Sequence, residues 1–207
     1  TGGDTFLGGV DFDNQLVDYL LHSFCQQMGS VPELDRASMQ RLRDAAEQAK
    51  CALSEKEETN VRIPFFAAID NVPKDLEIHV SRALLEELVA PLVERTLDVC
   101  RNVLERARWQ PQQLDNILLV GGQSRMPLIW RRIGEVFGRN PHKGVHPDEA
   151  VAVGAALVGD SQGKIDSVVL IDVLPVSIGV GLPGGRFARV LEAGTALPTT
   201  TTRTIHT

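Results

Sequence analysis

Apolar residues recur at a helical interval through "VDFDNQLVDYLLHSFCQQMG", at Leu16, Tyr19, Leu20 and Phe24. That period predicts an amphipathic helix, with Asp11 or Asp13 as its N-cap and Gly29 as its stop. A second helix is predicted in "ELDRASMQRLRDAAEQAKCALSEKEE", where Met39, Leu42, Ala46, Ala49 and Leu53 form one stripe. "TNVRIPFFAAID" and "DLEIHV" read as short strands. "SRALLEELVAPLVERTLDVCRNVLERA" has the pattern of a long helix with Ser81 as its cap. Pro91 inside it is expected to bend the helix or split it.

The pattern changes at residue 115 to strand, turn and helix. Ile117 to Val120 read as a buried-type strand, and "MPLIWRRIGEVFG" as a helix ending near Gly138. "HPDEAVAVGAALVGD" is another helix, with Pro147 at its first turn and the acids Asp148 and Glu149 beside it. Its small residues Ala152, Gly154, Ala155 and Ala156 suit close packing on a neighbour. From Ile165 the chain alternates as strands do, in "SVVLIDV", "VSIGVG" and "FARVLEAG", and Gly184-Gly185 marks a hairpin. The order is an α+β insert, an α/β core and the start of an all-β module.

Composition adds mainly exclusions. A length of 207 residues is enough to bury a core in one or two domains. The net charge of -6 argues against nucleic acid as a partner, because phosphate backbones call for clustered Lys and Arg. Cys25, Cys51 and Cys100 have no C-x-x-C spacing and read as reduced thiols of a cytoplasmic protein. His142 and His146 lie four apart, but the prolines and glycine around them disfavour a helical metal face. No EF-hand spacing follows Asp11 and Asp13, which leaves capping as their role and no metal site. No signal peptide is visible. The most apolar window, residues 168 to 182, is too interrupted by Asp172, Pro175 and glycines to span a membrane as a helix. The abrupt ends of the chain suggest an excised fragment.

Three constellations could carry chemistry. A strand running into Gly121-Gly122 and then a helix leaves bare backbone, and a helix's positive end, where phosphates or a nucleotide could approach. The same pattern also serves as an ordinary tight turn, and there is no G-x-G-x-x-G or Walker lysine to decide between them. Glu47, Lys50 and Ser54 lie at i, i+3 and i+7, on one stripe opposite the apolar one. They offer an acceptor, a cation and a hydroxyl in line, or merely a solvated face with a weak ion pair. Val168, Val169, Leu170 and Ile171 occupy a linker position with a composition unlike a linker's. They are either a core strand or a segment that docks and undocks.

Taken together, these segments resemble the seventy-kilodalton heat-shock chaperone family of the bacterial DnaK type. "GGDTFLGGVDFDNQLVDYL" resembles the family's GGDTHLGGEDFD segment, and "RLRDAAEQAKCALS" its adenosine-contacting helix. "ILLVGGQSRMPLI" resembles its second glycine turn, "HPDEAVAVGAALVGD" its NPDEAVAxGAA helix, and "VVLIDVLPVSIGV" its interdomain linker and first peptide-domain strand. The resemblance covers the chain in the right order.

It implies the second lobe of an actin-like ATPase (ribonuclease H-like) domain, an α/β lobe carrying an inserted α+β subdomain, followed by the first strands of a β-sandwich. Residues 1–90 would be the outer subdomain, 91–160 the inner one, 161–173 the linker through Asp172, and 174–207 the start of the peptide-binding domain. By the same resemblance Glu47 and Lys50 contact the ribose and Ser54 the adenine. Gly121 and Gly122 leave backbone for the adenosine, with Gln123 and Ser124 in the same turn, and Arg125 stacks on the base. Asp148 lies near the nucleotide, and Gly8 and Gly9 form the outer hinge. The cofactor would be ATP or ADP with Mg2+, and the phosphate-handling groups belong to a first lobe absent from these residues, so no catalytic residue is assigned. Implied partners are unfolded polypeptide clients, a J-domain co-chaperone and a GrpE-type nucleotide exchange factor. Unpaired strands after Val168 could swap with a second copy. Departures from the family pattern fall at Phe6, Val10, Cys51 and Pro183. A chaperone-like scaffold without ATPase activity, or another actin-like ATPase such as a sugar kinase, are the alternatives.

Overall fold

The computed structural model describes residues 2–142, 144, 146–161, 172–174 and 176–204, and it divides the chain into two compact units, 6–150 and 1–5 with 151–207. Its architecture is mixed α/β, with helices and small antiparallel sheets. Among the described residues no helix is long and apolar enough to cross a membrane.

The larger unit begins with α1 (Gly9–Met28) and α2 (Arg36–Glu55). The predicted stripes are the buried ones: Leu16, Leu20 and Phe24 on α1, and Leu42, Ala46, Ala49 and Leu53 on α2. The start of α1 differs from expectation. Gly8 is the N-cap, in extended backbone, and its N–H donates to Asp11 Oδ2 at 2.7 Å. Asp11 therefore closes a capping box from the third helical position, and Asp13 lies inside the helix. Gly29 ends α1 in the left-handed region at φ 69°, where glycine carries no Cβ penalty. Asp35 caps α2 by accepting the Ser38 N–H at 2.7 Å.

The two predicted strands form one hairpin, β1 (Glu58–Ile69) and β2 (Val72–Ser81). Its loop is Asp70-Asn71, with φ 51° and 63°, the paired positive dihedrals of a type I′ turn. Val61 and Ile63 are buried opposite Ile78 and Leu76. The register shifts between Ile63 and Ala67, where Pro64 has no N–H for the ladder. Asp75 accepts the Phe65 N–H at 2.8 Å, and the Arg41 guanidinium donates to the carbonyls of Pro64 and Phe65. Phe66 turns inward and meets Phe24 edge-on, with ring centroids 5.0 Å apart.

From the hairpin, α3 (Arg82–Ala107) runs unbroken through Pro91. Of the bend or split expected there, the split does not occur: Pro91 and Glu87, whose carbonyl loses its donor, both lie on the exposed side. Ser81 caps α3 through the Leu84 N–H. α4 (Pro127–Phe137) packs against α3 with Leu128, Ile133 and Phe137 buried, and it stops at Gly138. The expected strand at 117–120 is reduced to a single parallel bridge, Leu118 with His142. Ile117 and Leu119 pack on the core while Leu118 and Val120 are half exposed. A buried parallel strand needs cover on both faces, and here one face is covered.

α5 (Ala150–Ser161), which belongs to the smaller unit from Val151 onward, carries Val151, Val153 and Leu157 exposed, and its small-residue face stays open at Gly154. β3 (Ile178–Leu182) and β4 (Arg186–Leu191) form the expected hairpin, with Gly184 and Gly185 at φ 77° and 72°. Beside it, Val173 bridges Ala196, and the Asp172 carbonyl accepts the Leu197 N–H at 2.8 Å. Val168, Val169, Leu170 and Ile171 lie outside the described residues.

Candidate functional site

The apolar stripe of α2 faces the core, which leaves Glu47, Lys50 and Ser54 on the other side of the helix. That side forms one wall of a cavity of about 870 Å³, a size suited to a small organic ligand. The opposite wall is the turn from Val120 to Met126, with Pro147 and Asp148 beside it. Two backbone bonds hold that wall. His142 N–H donates to Ile117 O at 2.7 Å, and Gly121 N–H donates to Pro147 O at 2.8 Å.

Gly121 adopts φ 86° and ψ 149°, a region essentially closed to residues with a Cβ. Gly122 does not, and a Cβ built there would meet only Asp148 Oδ1 at an ordinary 3.5 Å. The protein itself thus requires glycine at 121 but leaves room for a side chain at 122.

Gly122–Arg125 is a 3-10 turn, and α4 starts only at Pro127. This corrects the expectation that a helix's positive end meets the glycines directly. One 3-10 turn carries little macrodipole, so the wall suits a neutral ring better than a phosphate. Ser124 is buried, its hydroxyl donates to Gly121 O at 2.6 Å, and its carbonyl accepts the Trp130 indole N–H at 2.7 Å. Ser124 therefore locks the turn, while Arg125 is half exposed and forms an ion pair with Asp148. Ser54 makes one long bond, 3.4 Å, to Lys50 O in its own helix. Its acceptor lone pairs remain for a ligand.

Lys50 is the most enclosed charge at the site. Its Nζ lies 2.8 Å from Asp13 Oδ1, an ion contact rather than an aligned hydrogen bond, and 3.3 Å from Gly9 O. A Cβ on Gly9 would stand 3.4 Å from that Nζ and 3.3 Å from Gln123 Oε1. Gly9 is therefore a point of close approach between α1, the Lys50 side chain of α2 and the Gln123 side chain of the glycine turn.

The cavity brings together Gly9, Glu47, Lys50, Ser54, Gly121, Gly122, Gln123, Ser124, Arg125 and Asp148. Gly8 does not line it and serves as the cap of α1. Asp172 falls in the other unit. Lining residues that the sequence reading left out of the site include Glu55, Met126 and Trp130, and Cys51, noted there only as a departure, is another. Trp130 carried a usable signal, since a tryptophan's N–H seeks a partner, but its partner is a backbone carbonyl and leaves no mark in a sequence. A model of the family described as Hsp70 protein matches residues 1–207.

Proposed function

The chain belongs to the Hsp70 protein family, and from that premise we propose that this cavity is the adenosine side of a nucleotide cleft. The family consists of ATP-dependent chaperones that act as ATPases in protein folding and the stress response. One observation carries the reading. The polar face of α2 and the glycine turn are far apart in sequence, yet they line one cavity of nucleoside size. Glu47 and Lys50 would hold the ribose hydroxyls, Ser54 the adenine edge, and Arg125 the face of the base, with Gly121 and Gly122 as the floor and Asp148 behind. A guanidinium can stack on such a ring.

In this reading residues 1–160 belong to the second lobe of an actin-like, ribonuclease H-like domain. Residues 1–90 form its outer subdomain, 91–160 its inner subdomain, 161–173 the interdomain linker and 174–207 the start of a β-sandwich that binds peptide. The outer-to-inner boundary then falls at Pro91 within α3. Mg2+ and the phosphates would be handled by the facing lobe, where catalysis rests on positioning and electrostatic stabilisation of an in-line attack by water. Unfolded polypeptide, a J-domain co-chaperone and a GrpE-type exchange factor are the partners, in the cytoplasm.

The test is an NMR titration of the chain with adenosine, ATP and guanosine. Adenosine should bind weakly and independently of Mg2+, shifting amides of Glu47 to Ser54 and Gly121 to Arg125, with no phosphate released from ATP. Tight Mg2+-dependent ATP binding, or shifts elsewhere, would overturn the assignment.

A further inference from the structure

Asp13 does not line the cavity, yet it touches the one ammonium that does. It projects from α1, and its side chain is 14% exposed against 11% for Lys50. Two ionised side chains enclosed to that degree lose hydration, and each is tolerable only with the other present. The Lys50 ammonium has three protons to donate. Asp13 Oδ1 and Gly9 O lie against it, and Lys50 itself lines the cavity. A free lysine would sample many rotamers and would have to give them up on binding. Here that ordering is already in place before a ligand arrives.

The geometry points to Asp13 as a positioning residue, one that acts on a nucleoside only by fixing the Lys50 ammonium toward the cavity. This rests on the adenosine reading above and deepens it. The contact is also local to two helices of one compact unit, so it needs no other part of the protein. Asp13→Asn keeps the shape and removes the charge. Immobilising one flexible side chain corresponds to roughly a two- to tenfold change in affinity, and that is the weakening expected. Lys50→Met keeps the stem and removes the charged contact itself, for about a tenfold loss.

The experiment is a double-mutant cycle on adenosine affinity, read by NMR titration of the chain and its variants Asp13→Asn, Lys50→Met and the two combined. Thermal unfolding is measured in parallel. If Asp13 works through Lys50, the double variant binds adenosine as Lys50→Met does, and Asp13→Asn has no effect of its own in that background. A purely structural aspartate would weaken binding equally in both backgrounds, and that result overturns the inference. So does wild-type affinity in Asp13→Asn while Lys50→Met is weakened, a result that leaves the adenosine reading standing. Wild-type affinity in Lys50→Met removes Lys50 from the nucleoside site and overturns both. Should Asp13→Asn alone fail to fold, the comparison of Lys50→Met with the double variant still decides, since a twofold or greater gap between them overturns the proposal. The double variant leaves neither charge buried without its partner.

Discussion

Gly122→Ala separates a glycine kept for the fold from one kept for a ligand. The backbone at Gly122 is outside the positive-φ region, and the added Cβ meets only Asp148 Oδ1 at 3.5 Å. Replacing a glycine in compatible backbone reduces the freedom of the unfolded chain, which stabilises by about 0.4–1 kcal/mol. For a chain of this length that raises Tm by about 1–4 °C. The same methyl enters the space where the base and ribose should lie. Overpacking a fitted site costs about 1–3 kcal/mol, so adenosine affinity should fall roughly 5- to 150-fold. Stability and affinity thus move in opposite directions. Gly121→Ala gives the contrast: its φ of 86° makes an added Cβ cost about 1–3 kcal/mol of strain, so Tm drops. Differential scanning fluorimetry reads the first quantity and NMR titration the second. If Gly122→Ala keeps its Tm and binds adenosine as tightly as the parent chain, the ligand does not lie on that backbone and the turn is structural only.

Cys51 is exposed and lines the cavity, whereas Cys25 and Cys100 are partly buried and burial pushes the Cys100 thiol up from its ordinary pKa. Ellman's reagent should therefore modify Cys51 first, and saturating adenosine should slow that reaction while leaving the other two unchanged; equal rates with and without adenosine would place the ligand elsewhere. The backbone N–H of Ser38 holds the Asp35 carboxyl below the usual carboxylate range. Its contribution to stability is thus complete above the unfolded-state pKa and is lost as pH falls through the lower folded-state value. The protection factor of the Ser38 amide, corrected for the intrinsic pH dependence of exchange, should fall under those acidic conditions, and Asp35→Ala should lower it at neutral pH. In a longer protein that carries the facing lobe and a complete peptide-binding domain, Leu170→Asp with Ile171→Asp should abolish stimulation of single-turnover ATP hydrolysis by a J-domain partner and by peptide. Nucleotide binding should survive, since residues 170 and 171 are remote in sequence from the adenosine residues. Stimulation at the wild-type level would make residues 168 to 171 ordinary core.

The elements that the sequence predicts well are those whose apolar face is buried by neighbours close in the chain. The stripe Leu42, Ala46, Ala49 and Leu53 is buried as its period requires, and Ser81 caps α3. The errors are of a different kind. Asp13 reads as a cap because its spacing from the apolar run suits one, but its role depends on Lys50, a residue on another helix. Pro91 reads as a bend or a break because its cost is local, whereas the side of α3 on which it falls decides whether the helix splits. Ile117 to Val120 read as a buried strand because four apolar residues in a row look the same whether one face or two are covered.

The candidate site shows the same limit more sharply. Glu47, Lys50 and Ser54 have the sequence signature of a solvated helix face, and nothing within α2 distinguishes them from one. What changes their meaning is the glycine turn placed across from them, held by the Pro147 and Ile117 carbonyls rather than by a strand ladder. An ordinary surface lysine would keep its ammonium in water and pair weakly, if at all. Lys50 instead has a side chain only 11% exposed, against a carboxylate and a backbone carbonyl. Enclosing a lysine in this way opposes stability unless the fold compensates the charge, and Asp13 on a neighbouring helix does so. A pair that merely stabilised α1 against α2 could be replaced by apolar residues with no loss. A charged pair whose ammonium lines a nucleoside-sized cavity is the arrangement expected where the charge has a ligand to meet.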